Sequence, residues 1–240
     1  MILLVGEDSD SILYFRTRIE GATALHLPYG IEAYQGRLGG EEAIVATIGV
    51  GMALTCLRTS HLITRFRPYL VFHFGSAVAL REDVHRGDII IADRYYLQGV
   101  DFSSDGKSAY GQFPGFPEFL TSDTAINNQA EAAAYALGGA YVERGFLVSG
   151  DKDYVDSKDV AGIVSRHYQG SDRIAAYDTS SAGVALACHL GETALLTAKA
   201  ISYEPSKPEQ YLERRRKGLE SSSTLGEIVI AMLVRNRNLI

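Results

Sequence analysis

Hydrophobic positions along the chain form short continuous runs, separated by longer segments in which apolar residues recur at helical spacing. Four runs have the length and the Val, Ile and Phe content of strands buried on both faces: Leu70–Phe74, Asp88–Ala92, Arg144–Ser149 and Ala194–Ile201. A shorter run at Ile2–Val5 predicts the first strand, and the run at Ile174–Tyr177 predicts another. Strands that alternate with helices indicate an α/β fold with a mostly parallel sheet and helices on both faces.

Helical spacing of apolar residues, alanine-rich composition and helix-capping residues predict the elements between these strands. The predicted helices are Ile12–Ile19, Met52–Phe66, Ser122–Leu137, Val155–Tyr168, Ser181–Leu190 and a final long helix from Glu209 onward. Around Gly39-Gly40, the segments Ala33–Leu38 and Glu42–Ile48 predict a hairpin. We expect a single domain over residues 1–240, because this length is within reach of one large α/β domain and no segment resembles a linker.

Composition and charge narrow the classes of function. A net charge of −6 argues against nucleic-acid binding, since proteins that neutralise phosphates need a basic face. The N-terminal apolar run is too short for a signal peptide or a membrane span, so no membrane association is predicted. Both cysteines, Cys56 and Cys188, lie in apolar helical segments as core residues do, which favours the reducing cytoplasm.

Several predicted strands end in small or polar residues, which would meet at one edge of a parallel sheet. Open α/β sheets bind their ligands at this edge. At Gly75-Ser76-Ala77 a predicted turn lacks bulky side chains, so that a ligand could approach backbone N–H groups; a tight turn without a ligand is the alternative. The four ends are Gly6-Glu7-Asp8, Gly75-Ser76, Ser149-Gly150-Asp151 and Ser202-Tyr203-Glu204.

Short motifs in a fixed order across nearly the whole chain carry a resemblance to a known family. Besides the first strand to Gly6, they are Tyr34-Gln35-Gly36, Gly49-Val50-Gly51, Gly75-Ser76-Ala77, Gly87-Asp88-Ile89-Ile90, Tyr110-Gly111-Gln112-Phe113-Pro114-Gly115, Val148-Ser149-Gly150-Asp151 and Ala200-Ile201-Ser202. In this order they resemble the nucleoside phosphorylase and nucleosidase superfamily, closest to the bacterial 5′-methylthioadenosine/S-adenosylhomocysteine nucleosidases.

The resemblance implies a three-layer α/β/α sandwich around a mixed, mostly parallel central sheet, usually as a homodimer. It also implies cleavage of the N-glycosidic bond of a purine nucleoside, by water in nucleosidases and by phosphate in phosphorylases. Such cleavage passes through an oxocarbenium-like state, so the purine must be protonated or hydrogen-bonded as it leaves. In the family, one Asp assists the purine, one Glu binds the ribose hydroxyls and a second Glu activates water.

This sequence departs from the family's pattern at all three carboxylates. Tyr203 replaces the Asp that follows the Ile-Ser pair, with Glu204 one residue later. Ser180 replaces the ribose-binding Glu, and Ser11 replaces the water-activating Glu, with Asp10 beside it. In addition, Asp153 replaces a purine-stacking Phe, with Tyr154 beside it.

The candidate catalytic residues are therefore Glu204, Tyr203 and Asp10. A tyrosine, with an ordinary pKa of about 10, is a weak general acid, and the two carboxylates could substitute only if the backbone shifted register by about one residue. The alternative is that Tyr203 is a packed aromatic residue and Glu204 a solvated loop carboxylate, neither with a catalytic role. The candidate substrate-binding residues are Ser76, Ala77, Asp153, Tyr154, Asp178, Thr179 and Ser180.

The connection from Tyr95 to Pro117 holds six aromatic residues, which argues against disorder in so long a loop. By resemblance, Tyr110, Phe113 and Phe116 reach across a twofold dimer to the partner's pocket. A loop folded back on its own subunit is the alternative.

Two functions remain open at this point. One is a purine-nucleoside N-glycosidase with an altered acid and ribose contact; the other is an inactive nucleoside-binding or structural homologue that keeps the fold. Phosphorolysis would need a cationic phosphate cradle, and His73, where phosphorylases of the superfamily tend to carry an Arg, fits a buried core residue better. No metal and no cofactor are predicted, because the histidines and cysteines lack metal-ligand spacing.

Overall fold

The computed structural model describes residues 1–137, 141–152, 159, 162, 166–168, 172–204, 223, 224 and 226. The helices are α1 (Ser9–Arg16), α2 (Met52–Phe66), α3 (Thr124–Leu137) and α4 (Ser181–Leu190), with a 3-10 turn at Ser103–Asp105. The strands are β1 (Ile2–Gly6), β2 (Glu20–His26), β3 (Glu32–Leu38), β4 (Glu41–Thr47), β5 (Leu70–Ala79), β6 (Ile89–Leu97), β7 (Leu120–Thr121), β8 (Val142–Ser149), β9 (Ile174–Asp178) and β10 (Ala194–Tyr203).

The sheet is mixed and has a parallel centre. Strands β4, β1, β5 and β10 pair in parallel in this order. On one side, β2, β3 and β4 form an antiparallel meander. On the other side, β10 pairs antiparallel with β6. Strand β8 lies between β6 and β9 and is parallel to both. Strand β9 in turn pairs antiparallel with the end of β5. The carboxyl ends of β1, β8, β9 and β10 are thereby brought around the second half of β5.

Two apolar cores lie on opposite faces of the sheet. Along β1, Leu3 and Val5 pack with α2 and α4, whereas Ile2 and Leu4 pack with Phe15 of α1 and with α3. Successive residues of a strand point to opposite faces, so a strand covered on both sides must be apolar throughout. This arrangement confirms the predicted three-layer α/β fold, including its four long buried strands.

The prediction of a turn at Gly75-Ser76-Ala77 is wrong, because β5 continues through these residues to Ala79. Gly75 has a φ of +150°, which a residue without a Cβ adopts easily, and the strand keeps its pairing with β10 beyond this point.

Strand β2 was not predicted, because its residues are mostly exposed at the sheet edge and carry no apolar alternation. Two predicted helices lie mostly outside the described residues. Of the helix from Glu209 onward, only residues 223, 224 and 226 are described, and of the helix at Val155–Tyr168, only residues 159, 162 and 166–168. None of the helices in the described part of the chain is long and apolar enough to cross a membrane.

Candidate active site

The ends of β1, β8 and β9 converge on a lysine of β10. The Lys199 ammonium lies 3.0 Å from Asp178 Oδ2 and 3.4 Å from Glu7 Oε1, and it donates a hydrogen bond of 3.1 Å to Ser180 Oγ. We call this set of connected side chains the Lys199 network; it consists of Glu7, His73, Ser149, Asp178, Ser180, Ser181 and Lys199.

Gly75 provides the space that Lys199 occupies. The two residues are opposite each other on β5 and β10, and a Cβ on Gly75 would lie 3.0 Å from the Lys199 Nζ. The lysine side chain is fully shielded from solvent. Removing an ammonium from water is costly unless opposite charge and hydrogen bonds compensate, which the Asp178 and Glu7 carboxylates do here.

Asp178 is held by hydroxyl and backbone donors at the start of α4. Its carboxylate accepts hydrogen bonds of 2.5 Å from both Ser149 Oγ and Ser181 Oγ, and one of 3.0 Å from the Ser181 backbone N–H. Burial alone raises the pKa of this carboxyl, but the charge of Lys199 and the two hydroxyl donors outweigh burial and bring its pKa below the ordinary value. Asp178 is therefore ionised at neutral pH.

His73 lies on the buried side of the network. Its Nε2 is 3.3 Å from Ser180 Oγ and its Nδ1 is 3.4 Å from Ser181 Oγ. Complete burial, reinforced by the charge of Lys199, lowers the pKa of this imidazole well below its ordinary value. The ring is therefore neutral at pH 7, as expected for a hydrogen-bonded core side chain.

Glu7 is the member of the network with the most accessible side chain, at 11% exposure. Its Oε1 accepts a 2.8 Å hydrogen bond from Ser180 Oγ. The backbone on both sides of the strand end is fixed, because Ile48 N–H donates to the Gly6 carbonyl and Gly49 N–H to the Glu7 carbonyl, each at 2.9 Å.

Glu7 is one of the polar strand ends predicted from the sequence, without a chemical role, whereas Lys199 was not predicted. The available signals were the first carboxylate after β1 and a single cation inside the apolar run Ala194–Ile201.

The predicted substrate-binding residues that the structure describes lie around the second half of β5. Ser76 is half-buried and pairs with Ala200, and Ala77 is buried in the core. Asp178 and Ser180 belong to the network, while the carbonyl of Thr179 accepts a 2.9 Å hydrogen bond from Gly51 N–H. Asp153 and Tyr154 lie outside the described residues.

The three candidate catalytic residues have separate surroundings. Tyr203 is buried and pairs with Val78, two residues beyond Ser76 on β5. The Glu204 carboxylate accepts a 2.9 Å hydrogen bond from Arg86 N–H and lies 3.6 Å from His85 Nδ1. Their catalytic roles stay predictions.

Asp10, the third candidate, is exposed in the first turn of α1. The carboxylate that binds Ser11 is instead that of Asp8, the N-cap of α1, which accepts hydrogen bonds from Ser11 N–H at 2.8 Å and from Ser11 Oγ at 2.7 Å. A catalytic role for Asp10 also stays a prediction.

A pocket of about 840 Å³ adjoins α2 and α4. Its walls are mainly apolar, with Met52, Cys56, Leu97, Val100, Phe113 and Leu186 among the lining residues. At its rim, Asp151 Oδ1 accepts a 2.6 Å hydrogen bond from the Met52 N–H at the start of α2. A mostly apolar concavity with a few polar groups is typical of sites that bind small molecules or apolar side chains.

The aromatic loop packs against its own subunit. The Tyr110 ring stacks on His167 with ring centres 3.6 Å apart, and its hydroxyl accepts a hydrogen bond from Gly99 N–H. Phe113 contacts Phe102 and Phe116 and packs on the core beside α2. The three predicted contact residues, Tyr110, Phe113 and Phe116, nevertheless stay partly exposed.

A match over nearly the whole chain identifies the class of protein. The family model described as the phosphorylase superfamily matches residues 2–233, and the chain belongs to that family.

Individual relatives carry a more specific name. The chain is 28% identical over 235 residues to a 5′-methylthioadenosine/S-adenosylhomocysteine nucleosidase of Geobacillus kaustophilus, which covers 96% of this chain and 95% of the relative. It is similar to the crystal structure of the Neisseria meningitidis enzyme of the same name in complex with methylthio-immucillin-A, with a TM-score of 0.89, 27% identity and coverage of 96% and 98%. A Streptococcus pyogenes S-adenosylhomocysteine nucleosidase, at 20% identity and a TM-score of 0.87 over 97% and 96% of the two chains, has the same fold.

Proposed function

We propose that this protein hydrolyses the N-glycosidic bond of a purine nucleoside of the methylthioadenosine or adenosylhomocysteine type. The observation that carries this proposal is the match over nearly the full length, in sequence and in fold, to nucleosidases that include one crystallised with methylthio-immucillin-A. Family membership alone leaves the choice between hydrolysis and phosphorolysis open.

The proposed active site is diverged from the family's pattern. Ser11 and Ser180 occupy positions that the resemblance assigns to catalytic carboxylates, but each donates a hydrogen bond to a carboxylate, Ser11 to Asp8 and Ser180 to Glu7. Carboxyl groups thus remain near both positions and come from the turn between β1 and α1. This arrangement supports an altered enzyme over a homologue that has lost all acidic groups.

Water is the proposed nucleophile. A phosphate ion would need a cation to bind it, and His73 is a neutral, buried imidazole. The ammonium of Lys199 is already compensated by Asp178 and Glu7, so it offers little net charge to an anion.

A homodimer is the proposed assembly. Four apolar side chains near the pocket have exposed fractions between 37% and 59%: Val50, Leu54, Leu57 and Phe102. Exposed apolar groups of this size favour a protein partner, and a twofold dimer is the commonest arrangement. In this proposal the partly exposed rings of the loop, Tyr110, Phe113 and Phe116, contact the partner near its cleft.

The proposed location is the cytoplasm. Both cysteines are free thiols, and burial raises the pKa of Cys188 and of Cys56, which disfavours the reactive thiolate form.

Incubation of the purified protein with a panel of purine nucleosides, followed by measurement of the free base, tests the activity. Release of adenine from methylthioadenosine without phosphate in the buffer is the expected result. If no nucleoside releases base but methylthioadenosine raises the melting temperature, the protein is a nucleoside-binding homologue and the proposed activity is wrong.

A further inference from the structure

The Lys199 network meets solvent at Glu7. The side chains of His73, Ser180 and Lys199 have no exposed surface, and that of Asp178 has 2%. Glu7, at 11%, covers the network from the side of the strand ends. A ligand that binds at the carboxyl end of β1 therefore contacts the Glu7 carboxylate before any other member.

We propose that the Glu7 carboxylate accepts the hydrogen bonds of the ribose hydroxyls of the bound nucleoside. This assignment rests on the proposed function and adds to it a specific residue, supplied by β1, for recognition of the sugar. It makes Glu7 a substrate-binding residue, while Ser180 and Lys199 position its carboxylate.

The chemistry of the two partners is complementary. An ionised carboxylate only accepts hydrogen bonds, whereas the two neighbouring hydroxyls of a ribose can both donate. Within the described residues, the hydrogen bonds of the Glu7 side chain all go to Oε1, from Ser180 and Lys199. This leaves Oε2 available to a sugar hydroxyl.

Glu7 is also held in place before a ligand arrives. Its carbonyl accepts from Gly49 N–H, its Oε1 is bound by Ser180, and the buried Lys199 ammonium stabilises the charge. A group that is already oriented loses little conformational freedom on binding, so its hydrogen bonds contribute more to affinity.

The neighbouring carboxylates are less suited to this role. Asp8 uses its carboxylate to cap α1 through Ser11, and Asp10 is exposed on the first turn of that helix. Glu7, by contrast, is joined to the buried network through Ser180 and Lys199.

Glu7→Gln tests the assignment, since it keeps the shape of the side chain and removes its charge. The matched control is Glu20→Gln, an exposed glutamate on the edge strand β2. For each protein, kcat/KM for base release is measured with adenosine and with 2′-deoxyadenosine. We expect Glu7→Gln to lower the value for adenosine about 10- to 100-fold and to lower the value for the deoxy compound less, because 2′-deoxyadenosine keeps one of the two neighbouring hydroxyls. Glu20→Gln should leave both values unchanged.

Binding measurements separate this inference from the proposed activity. If the wild type releases no base, calorimetric affinities for adenosine and 2′-deoxyadenosine decide; a preference for the ribose form that Glu7→Gln abolishes supports the role of Glu7 although the hydrolase proposal fails. An unchanged preference in Glu7→Gln, in rate or in affinity, overturns the inference even if hydrolysis is observed. A wild type that binds neither nucleoside overturns both.

If Glu7→Gln does not fold, as judged by circular dichroism, Glu7→Asp replaces it. This variant keeps the charge near Lys199 but withdraws the carboxylate by one methylene, and it should lose the preference for ribose. A retained preference contradicts the assignment.

Discussion

The ammonium of Lys199 lies 3.0 Å from Asp178 Oδ2, and both side chains are shielded from solvent. Such a pair adds little net stability, because the loss of hydration offsets the attraction between the charges. Its effect here is positional, since Lys199 belongs to β10, Asp178 ends β9 and the same ammonium contacts Glu7 after β1. Lys199 thereby fixes the ends of β1 and β9 relative to β10 around the proposed site.

We expect Lys199→Met to destabilise the protein by about 3–5 kcal/mol, because it leaves the Asp178 and Glu7 carboxylates without a buried counter-charge. Urea unfolding at pH 7 measures this loss. In an Asp178→Asn background the same substitution should be less damaging, since one of the two carboxylate charges is already gone. Equal losses in both backgrounds would show that Lys199 and Asp178 are not coupled.

Stability should fall as the pH is lowered from about 7 to 5, in part through His73. In the folded protein its pKa is well below the ordinary value, whereas in the unfolded chain it is about 6.5. Below that pH the unfolded state therefore takes up a proton that the folded state does not. The free energy of unfolding then falls by up to about 1.4 kcal/mol for each pH unit. The groups facing His73 are Lys199, Asp178, Ser180 and Ser181.

Unfolding free energies of the wild type and of His73→Asn across this range measure the effect. The variant should have a shallower slope, whatever its overall stability, because the other five histidines are common to both proteins. Parallel slopes would mean that His73 is protonated in the folded state.

Gly75→Ala should destabilise the protein by about 1–3 kcal/mol. Its φ of +150° disfavours a side chain, and the added Cβ would press on the Lys199 Nζ at 3.0 Å. The matched control is Gly87→Ala, which has a φ of +96° but nothing within 4 Å of the added carbon. Thermal unfolding of both variants should give the larger loss for Gly75→Ala; equal losses would assign the effect to backbone strain alone.

Leu57→Glu should convert the proposed dimer into a monomer, because it places a charge on the exposed apolar face beside the pocket. The control is Leu13→Glu on α1, since Leu13 and Leu57 are both 48% exposed. Light scattering at micromolar concentration measures the mass. A monomeric wild type contradicts the dimer, while a dimer that survives Leu57→Glu but not Phe113→Ser would place the interface at the loop.

Local patterns in the sequence determined most of the framework. Continuous apolar runs predicted the buried strands, periodic apolar positions predicted α2, and an alanine-rich segment predicted α4. Both helices have the predicted bounds, Met52–Phe66 and Ser181–Leu190. These elements are predictable because burial on one face imposes a period on the sequence, whereas burial on both faces makes the segment apolar throughout. Strand β2 escaped prediction because an exposed edge strand imposes no such period.

Which residues come together at the site was decided by contacts between positions far apart in the sequence. The sequence contains Glu7 and Lys199, but these residues are 192 positions apart and meet only because β1 and β10 flank β5 in the parallel centre of the sheet. In sequence, Gly75 predicted a turn; in the sheet it lies opposite Lys199 and makes room for its side chain. A local pattern specifies which face of an element is buried, whereas strand order and register decide which buried charges become partners.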